Sequence, residues 1–417
     1  MNSALAADTA HNNDFQEIQK IVELQRNSFI SDGYPSAKTR IDRLDRLIAM
    51  LRSNKQKLAA TLKSDYSARS HFDSVVFDIL VPIESLKYCR KNTAKWMKPE
   101  KRGAKFPLNL LGADAHVFYQ PMGVVGIVAP WNFPIQLTFS PLGNAISAGN
   151  RAIIKPSELT PETSALLEEL FKADFSPEEI SVVNGGPDVA AAFTAQAFDH
   201  LVFTGAPSVA KHVMRAAAEN LVPLTLELGG KCPVIIGEGA DIKSAVERIF
   251  TFKTMNAGQI CLAPDYTFVQ AKVLPQFIEC AKNFVAENFG TLADNDDYGS
   301  IINERHRARI AGYIQEAMSK GYQTIPLSDD IGLDKLAHNH KLAPTLVIDP
   351  SNDCKIMSDE IFGPAVPIKT YANINDVAAH INRGERPLAL YYFGKSKSEI
   401  NMLKHNTTSG GMVVNDI

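Results

Sequence analysis

Asn256-Ala257-Gly258-Gln259-Ile260-Cys261 places a cysteine just after a glycine, in a stretch with little side-chain bulk. A thiol is a good nucleophile only as the thiolate, and an electrophile needs room to reach it. Gly258 gives that room. Alone, Cys261 reads more simply as one more small buried hydrophobe, the usual place of a free cysteine. Its company changes the reading. Leu226-Glu227-Leu228-Gly229-Gly230-Lys231 lies upstream, and Pro130-Trp131-Asn132-Phe133-Pro134 further upstream still. A thiol, a carboxylate and an amide, each in a Gly- or Pro-marked segment, make a candidate acyl-transfer site. The rest of the chain has to bring a cofactor to it.

A chain of 417 residues has room for two or three domains, and 45% hydrophobic with 21% charged residues is ordinary for a large core. A net charge of -3 makes no case for nucleic acid or an anionic membrane. No apolar run reaches the ~18 to 20 residues of a membrane helix. Residues 1–14 lack a basic start and an apolar block, so they read as a disordered leader rather than a secretory signal. The five cysteines are odd in number and widely spaced, without a Cys-x-x-Cys pair. That argues against disulfides and structural zinc and for a reducing compartment, the cytoplasm.

Residues from about Phe15 to Trp96 carry helical periodicity, broken at Asp32-Gly33-Tyr34-Pro35, with a longer helix from about Phe72 to Met97 in which Pro82 is a kink or start. Between Lys98 and Gln120 prolines and glycines break any helix, and Ala115–Tyr119 reads as a strand in a hairpin standing off the body. Exposed strands of this kind pair with another chain, so the hairpin is a candidate dimer contact. From Gly123 strands alternate with helices. Val124–Ala129, Ala152–Ile154, Ile180–Val183 and His200–Phe203 are the strands, and Thr160 reads as a helix N-cap. After Gly230 a second series follows, with strands at Pro233–Ile236, Tyr266–Val269, Thr345–Ile348, Leu388–Phe393 and from Gly411. The fold class is α/β: a doubly wound, Rossmann-like parallel sheet, then a second α/β domain.

The usual Gly-x-Gly-x-x-Gly fingerprint is absent. In its place Phe203-Thr204-Gly205-Ala206-Pro207 ends a strand and opens a helix, whose free amides suit a pyrophosphate. Lys155-Pro156-Ser157-Glu158 follows another strand. A carboxylate there accepts ribose hydroxyls and repels a 2′-phosphate, which favours NAD while leaving NADP open. A plain β-α turn and a surface ion pair are the bland readings of the two motifs.

Together these motifs resemble the NAD(P)-dependent aldehyde dehydrogenase superfamily, over essentially the whole chain from about residue 15. Glu360-Ile361-Phe362-Gly363-Pro364 completes the ordered set, and Cys261 stands 34 positions after Glu227, as in that family. Asn220-Leu221-Val222-Pro223, Ala263-Pro264-Asp265-Tyr266 and Arg386–Tyr391 are most similar to the class 3 and coniferyl aldehyde dehydrogenase branch. The resemblance implies an NAD(P)-linked oxidation of an aromatic or medium-chain aldehyde to its acid. Cys261 would attack the carbonyl and Asn132 would hold the oxyanion with the Cys261 amide. Glu227 would activate water against the thioester. Its presence argues against a CoA-acylating or acyl-phosphate-reducing relative. Glu360 would bind the nicotinamide ribose, with Phe362 close by. Lys155 and Glu158 would take the adenosine ribose, Gly205 and Ala206 the pyrophosphate turn, and Trp131 would join the cofactor contacts. No metal is needed. Residues 15–98 and 121–227 would form the NAD-binding domain, 99–120 the oligomerisation hairpin of a homodimer, and 228–417 the catalytic domain.

Two departures stand out. Ala210 occupies a position where the family usually has glycine. Relatives also run some tens of residues past the position of Ile417, with a Phe-Gly-Gly loop and a strand that crosses to the partner. The alternative expectation is therefore a catalytically impaired NAD-binding fragment or scaffold.

Overall fold

The computed structural model describes the backbone of residues 2–333 and 338–417, and the side chains of residues 13–333 and 339–417. It has two compact units, residues 1–62 with 74–227 and residues 63–73 with 228–417.

The first unit opens with a helix over Asn2–Asp32. The leader expected over residues 1–14 is thus helical from Asn2; Met1 lies outside the described residues. The stretch has neither glycine nor proline to stop a helix, and its first turns are rich in alanine, the best helix former. It ends where Gly33 takes a positive φ of 67°. Ala37–Ser53 follows, capped by Ser36, whose hydroxyl accepts from the Thr39 amide at 3.2 Å.

The helix expected across residues 72–97 is interrupted. A π-helical segment spans Ser74–Leu80, and a regular helix, Val81–Trp96, starts with Pro82 in its first turn. Proline has no N–H for the i→i−4 ladder, so the chain widens before it.

Strands β1 (Glu100–Arg102) and β2 (Ala115–Val117) form the exposed antiparallel hairpin, with Glu100 opposite Val117. The sheet of this unit contains β3 (Val124–Val128), β4 (Arg151–Lys155), β5 (Ile180–Val182), β6 (His200–Gly205) and β7 (Leu224–Leu228), in the order β5-β4-β3-β6-β7. The pairings β3–β4, β3–β6 and β4–β5 are parallel. Apolar runs such as Val124–Val128 are buried along most of their length, as helices on both faces require. Val125, Ile127 and Ile154 pack with Leu44, Leu47, Phe139 and Phe171 in one core. Strand order reverses between β3 and β6, and the carboxyl ends flanking such a switch are where doubly wound sheets bind ligands.

Among the described residues the second unit has seven strands: β8 (Pro233–Ile236), β9 (Tyr266–Gln270), β10 (Thr324–Pro326), β11 (Thr345–Ile348), β12 (Ala365–Tyr371), β13 (Ala389–Phe393) and β14 (Gly411–Val414). Their order is β10-β11-β12-β9-β8-β13-β14. Only β10 is antiparallel to its neighbour. Side chains alternate between two cores: Val234, Ile236, Tyr391 and Phe393 on one face, Ile235, Leu390 and Tyr392 on the other. β12 was not expected, because Pro367 stands inside it and proline argues against a central strand. The ladder to β9 begins only at Ile368, past the missing N–H.

Candidate active site

In the first unit the predicted residues stand at or just beyond the carboxyl ends of four adjacent strands, β4, β3, β6 and β7. Trp131 and Asn132 follow β3; Asn132 is buried at 4% exposure. Asp78, fully buried, accepts the amides of Ile135 and Gln136 at 3.1 and 3.2 Å and so fixes the turn just after them. Nothing in the local sequence marked Asp78, because it reaches that turn from 57 residues away.

Lys155 ends β4. Its buried amine donates to the Pro156 carbonyl at 2.7 Å and lies 4.0 Å from the half-exposed Glu158 carboxylate. Burial pushes the Lys155 amine below its usual range, and Glu158 opposes the shift. Thr160 occupies the N-cap position but does not cap: its hydroxyl donates to the Ser157 carbonyl at 3.4 Å.

Gly205 ends β6 and Ala206 is the N-cap of the helix Pro207–Ala218. Ala206 has no side chain to cap with, so the leading amides stay available to an outside acceptor. The amide of the buried Ala210 bonds to the Ala206 carbonyl at 3.0 Å, so the alanine leaves the first turn regular. An uncapped helix start, a lysine and a carboxylate fit a dinucleotide. Glu227 is exposed near the end of β7.

In the second unit Cys261 is half-buried beyond a strained loop. Asn256, Ala257 and Gly258 have φ of 46°, 52° and 72°, three successive left-handed residues. Their surroundings hold them. The Asn256 amide donates to Asp73 at 2.9 Å, and its side-chain oxygen accepts from Arg69 at 3.2 Å. Gln259 donates to the Asn256 and Ser300 carbonyls and accepts from the Ile302 amide, at 2.8 to 2.9 Å. Burial raises the Asp73 carboxyl above its usual range. The space left by Gly258 is not free for an electrophile: a Cβ there would lie 2.6 Å from the Gly363 carbonyl. Glycine lets this loop pack on the turn that carries Glu360.

Glu360 accepts the Gly230 amide at 3.1 Å. Burial, with the neighbouring Asp265, pushes its carboxyl up to about 7, against the pull of that hydrogen bond, Lys231 and Arg309. Lys231 bonds to the Asp265 carboxylate and to the carbonyls of Ile356 and Asp359 at 3.0 and 2.8 Å. Phe362 takes a φ of 48°, rare for an aromatic residue. Cys232 lies close by, its sulfur donating to the Cys261 carbonyl at 3.5 Å. Burial pushes that thiol up to about 12, which leaves it unreactive. Sequence reasoning missed Asp73, Arg69, Asp78 and the Lys231–Asp265 pair; their partners are distant in the chain, and only Lys231 and Asp265 left a visible trace, each inside a quoted motif.

The family model for the aldehyde dehydrogenase family matches residues 6–417. The chain belongs to the aldehyde dehydrogenase family. A "probable coniferyl aldehyde dehydrogenase" of Caulobacter vibrioides is 47% identical over 399 residues, 95% of this chain and 82% of that protein. A coniferyl aldehyde dehydrogenase of a Pseudomonas species is 45% identical, over 96% of this chain and 83% of its own length. Among solved structures, the substrate-bound state of Staphylococcus aureus AldH superposes with a TM-score of 0.90 at 33% identity, covering 96% of this chain and 85% of that one. This aldehyde dehydrogenase is an oxidoreductase whose general reaction is aldehyde oxidation. Among the described residues no group of three or more His, Cys, Asp or Glu is placed to hold a metal, and no helix is long and apolar enough to cross a membrane.

Proposed function

We propose that this aldehyde dehydrogenase oxidises a coniferyl-type aromatic aldehyde to its carboxylic acid, with NAD as hydride acceptor. The relatives at 45 and 47% identity support the aromatic substrate over a medium-chain aliphatic one. Solved neighbours in complex with NAD+ support the nucleotide, and Glu158 beside Lys155 disfavours the extra phosphate of NADP. The observation that carries the reading is the junction in the second unit, where the Cys261 loop seats Gly258 on Gly363, three residues after Glu360.

The Cys261 thiolate forms a bond to the carbonyl carbon, and the π pair moves to oxygen. The Asn132 side-chain amide and the Cys261 N–H stabilise that oxyanion. When bound, the nicotinamide supplies the hydride acceptor. Loss of hydride from the tetrahedral carbon re-forms the C=O and leaves a thioester on Cys261. Glu227 takes a proton from water, the water oxygen attacks, and the C–S bond breaks to release acid and thiolate. Glu360 would hold the nicotinamide ribose, with Phe362 two residues on in the same turn. Lys155 and Glu158 would take the adenosine ribose, the turn at Gly205 and Ala206 the pyrophosphate, and Trp131 would join the cofactor contacts.

The five free cysteines suit a reducing compartment such as the cytoplasm. Exposed Phe106, Leu110, Leu111 and Phe118 around the β1–β2 hairpin suit a second copy of the chain, as in a homodimer.

NADH formation with a coniferyl-type and a medium-chain aldehyde, for the wild type and Cys261→Ala, tests the reading. Faster turnover of the aromatic aldehyde, lost in the variant, is expected. Nucleotide binding without turnover in the wild type would instead mark a binding protein.

A further inference from the structure

Asp265 follows Cys261 by four residues and is buried at 3% exposure. A buried carboxylate is costly unless charge and hydrogen bonds compensate it. Both oxygens of Asp265 are used. One meets the Lys231 ammonium, and the other accepts the Ile361 amide at 2.9 Å. Its own amide donates to the Cys232 carbonyl at 2.9 Å, beside Lys231 in sequence. Lys231 spends its remaining donors on the carbonyls of Ile356 and Asp359. Carboxylate and ammonium therefore grip the chain on both sides of Glu360: at Asp359 before it, at Ile361 after it. Arg309 adds bonds to the carbonyls of Glu360 and Ile361 at 3.3 and 3.0 Å. The Glu360 side chain is thereby aimed at the Gly230 amide, where Gly229 must lack a side chain: a Cβ would stand 2.2 Å from the carboxylate.

We propose that Asp265, paired with Lys231, is a positioning residue that holds the Glu360 carboxylate in its nucleotide-binding orientation. The inference rests on the reading of Glu360 as the ribose ligand. Asp265 touches neither substrate nor nucleotide; it acts through the Glu360 turn. Its charge also reaches Glu360. The charged or titratable groups around that carboxylate are Asp265, Lys231, Lys253, Arg309 and Cys232. Of the neighbouring charges, Asp265 is the one that raises it. Neutralising Asp265 moves Glu360 toward the ordinary carboxylate range.

The experiment measures the dissociation constant of NAD+ across pH for wild type, Asp265→Asn, Glu360→Gln and the double variant, with thermal melts as a folding control. Glu360→Gln should weaken NAD+ about tenfold, the scale of a charged hydrogen bond. Asp265→Asn should weaken it comparably and shift the pH midpoint of binding downward. The double variant should match Glu360→Gln alone, because both act through one carboxylate. If Glu360→Gln weakens binding while Asp265→Asn does not, or the two effects multiply, the positioning role is wrong and Glu360 stands. If Glu360→Gln leaves NAD+ affinity unchanged, the ribose reading fails and takes the inference with it. Should Asp265→Asn not fold, Lys231→Gln breaks the same pair from the other side and must give the same weakening and the same match in the double variant, with the pH midpoint moved upward instead, because the Lys231 charge lowers the Glu360 carboxyl.

Discussion

The backbone N–H of Asn256 donates to the Asp73 carboxylate at 2.9 Å across 183 residues of chain. It enters a loop of three left-handed residues that no local preference favours at Asn256 and Ala257 together. Asp73→Ala would leave that buried N–H without its acceptor, a loss of about 1–3 kcal/mol. We expect a lower melting temperature and a changed alkylation rate of Cys261 by iodoacetamide. Asp73→Asn keeps an acceptor oxygen and should restore most of both. Wild-type melting and alkylation in Asp73→Ala would sink the idea.

Glu360 gives the protein a pH dependence of known sign. Its folded-state carboxyl is raised to about 7 from an ordinary 4.5, chiefly by burial. The folded protein thus holds a proton that the unfolded chain gives up. The associated stability is full below about pH 4.5 and is lost as pH rises through about 7, by about 3 kcal/mol. Urea unfolding across that range should show the slope, and Glu360→Gln should flatten it. Ribose hydroxyls need the ionised form as acceptor, so NAD+ affinity should rise over the same window.

The Rossmann-like alternation was legible because it is written in consecutive residues. Apolar runs buried on both faces announce parallel strands, as at Val124–Val128. What was not legible depends on partners far apart in the chain. Asp73 and Arg69 stand in a segment that reads as ordinary helix, yet residues 63–73 group with 228–417. Pro367 hid β12 because its missing N–H is harmless only where the β9 ladder has not begun. Gly258 was read as room for an incoming electrophile. The space serves the Gly363 carbonyl, not an incoming aldehyde.

Lys253 precedes the strained loop and is buried at 1% exposure. Burial pushes its amine down to about 8; Asp265, Cys232 and Glu360 oppose the shift and Lys231 adds to it. The folded protein binds this proton less well than the unfolded chain. Its contribution to stability is present above about pH 10.5 and is lost as pH falls through about 8. At neutral pH the buried charge is a liability of about 1–3 kcal/mol that a methionine of similar length would lack. Lys253→Met should therefore be more resistant to urea at pH 7, with the gain shrinking toward pH 10. A less stable variant at pH 7 would show that the ammonium is held by its acidic neighbours after all.

Gly229 and Gly258 both lie against the Glu360 turn, but alanine should act differently at each. A Cβ at Gly229 meets the end of the Glu360 side chain at 2.2 Å, and a carboxylate can swing away. Gly229→Ala should fold and lose NAD+ affinity. At Gly258 the φ of 72° is already unfavourable for alanine, by about 1–2 kcal/mol, and the obstacle is the Gly363 carbonyl of the backbone. That group cannot rotate aside, so overpacking adds about 1–3 kcal/mol more. Gly258→Ala should melt well below Gly229→Ala. Thermal melts and NAD+ titrations of the two proteins separate the cases. Equal melting temperatures would mean that the Gly363 carbonyl can move, and that the Cys261 loop is less tightly seated on the Glu360 turn than the contact at Gly258 implies.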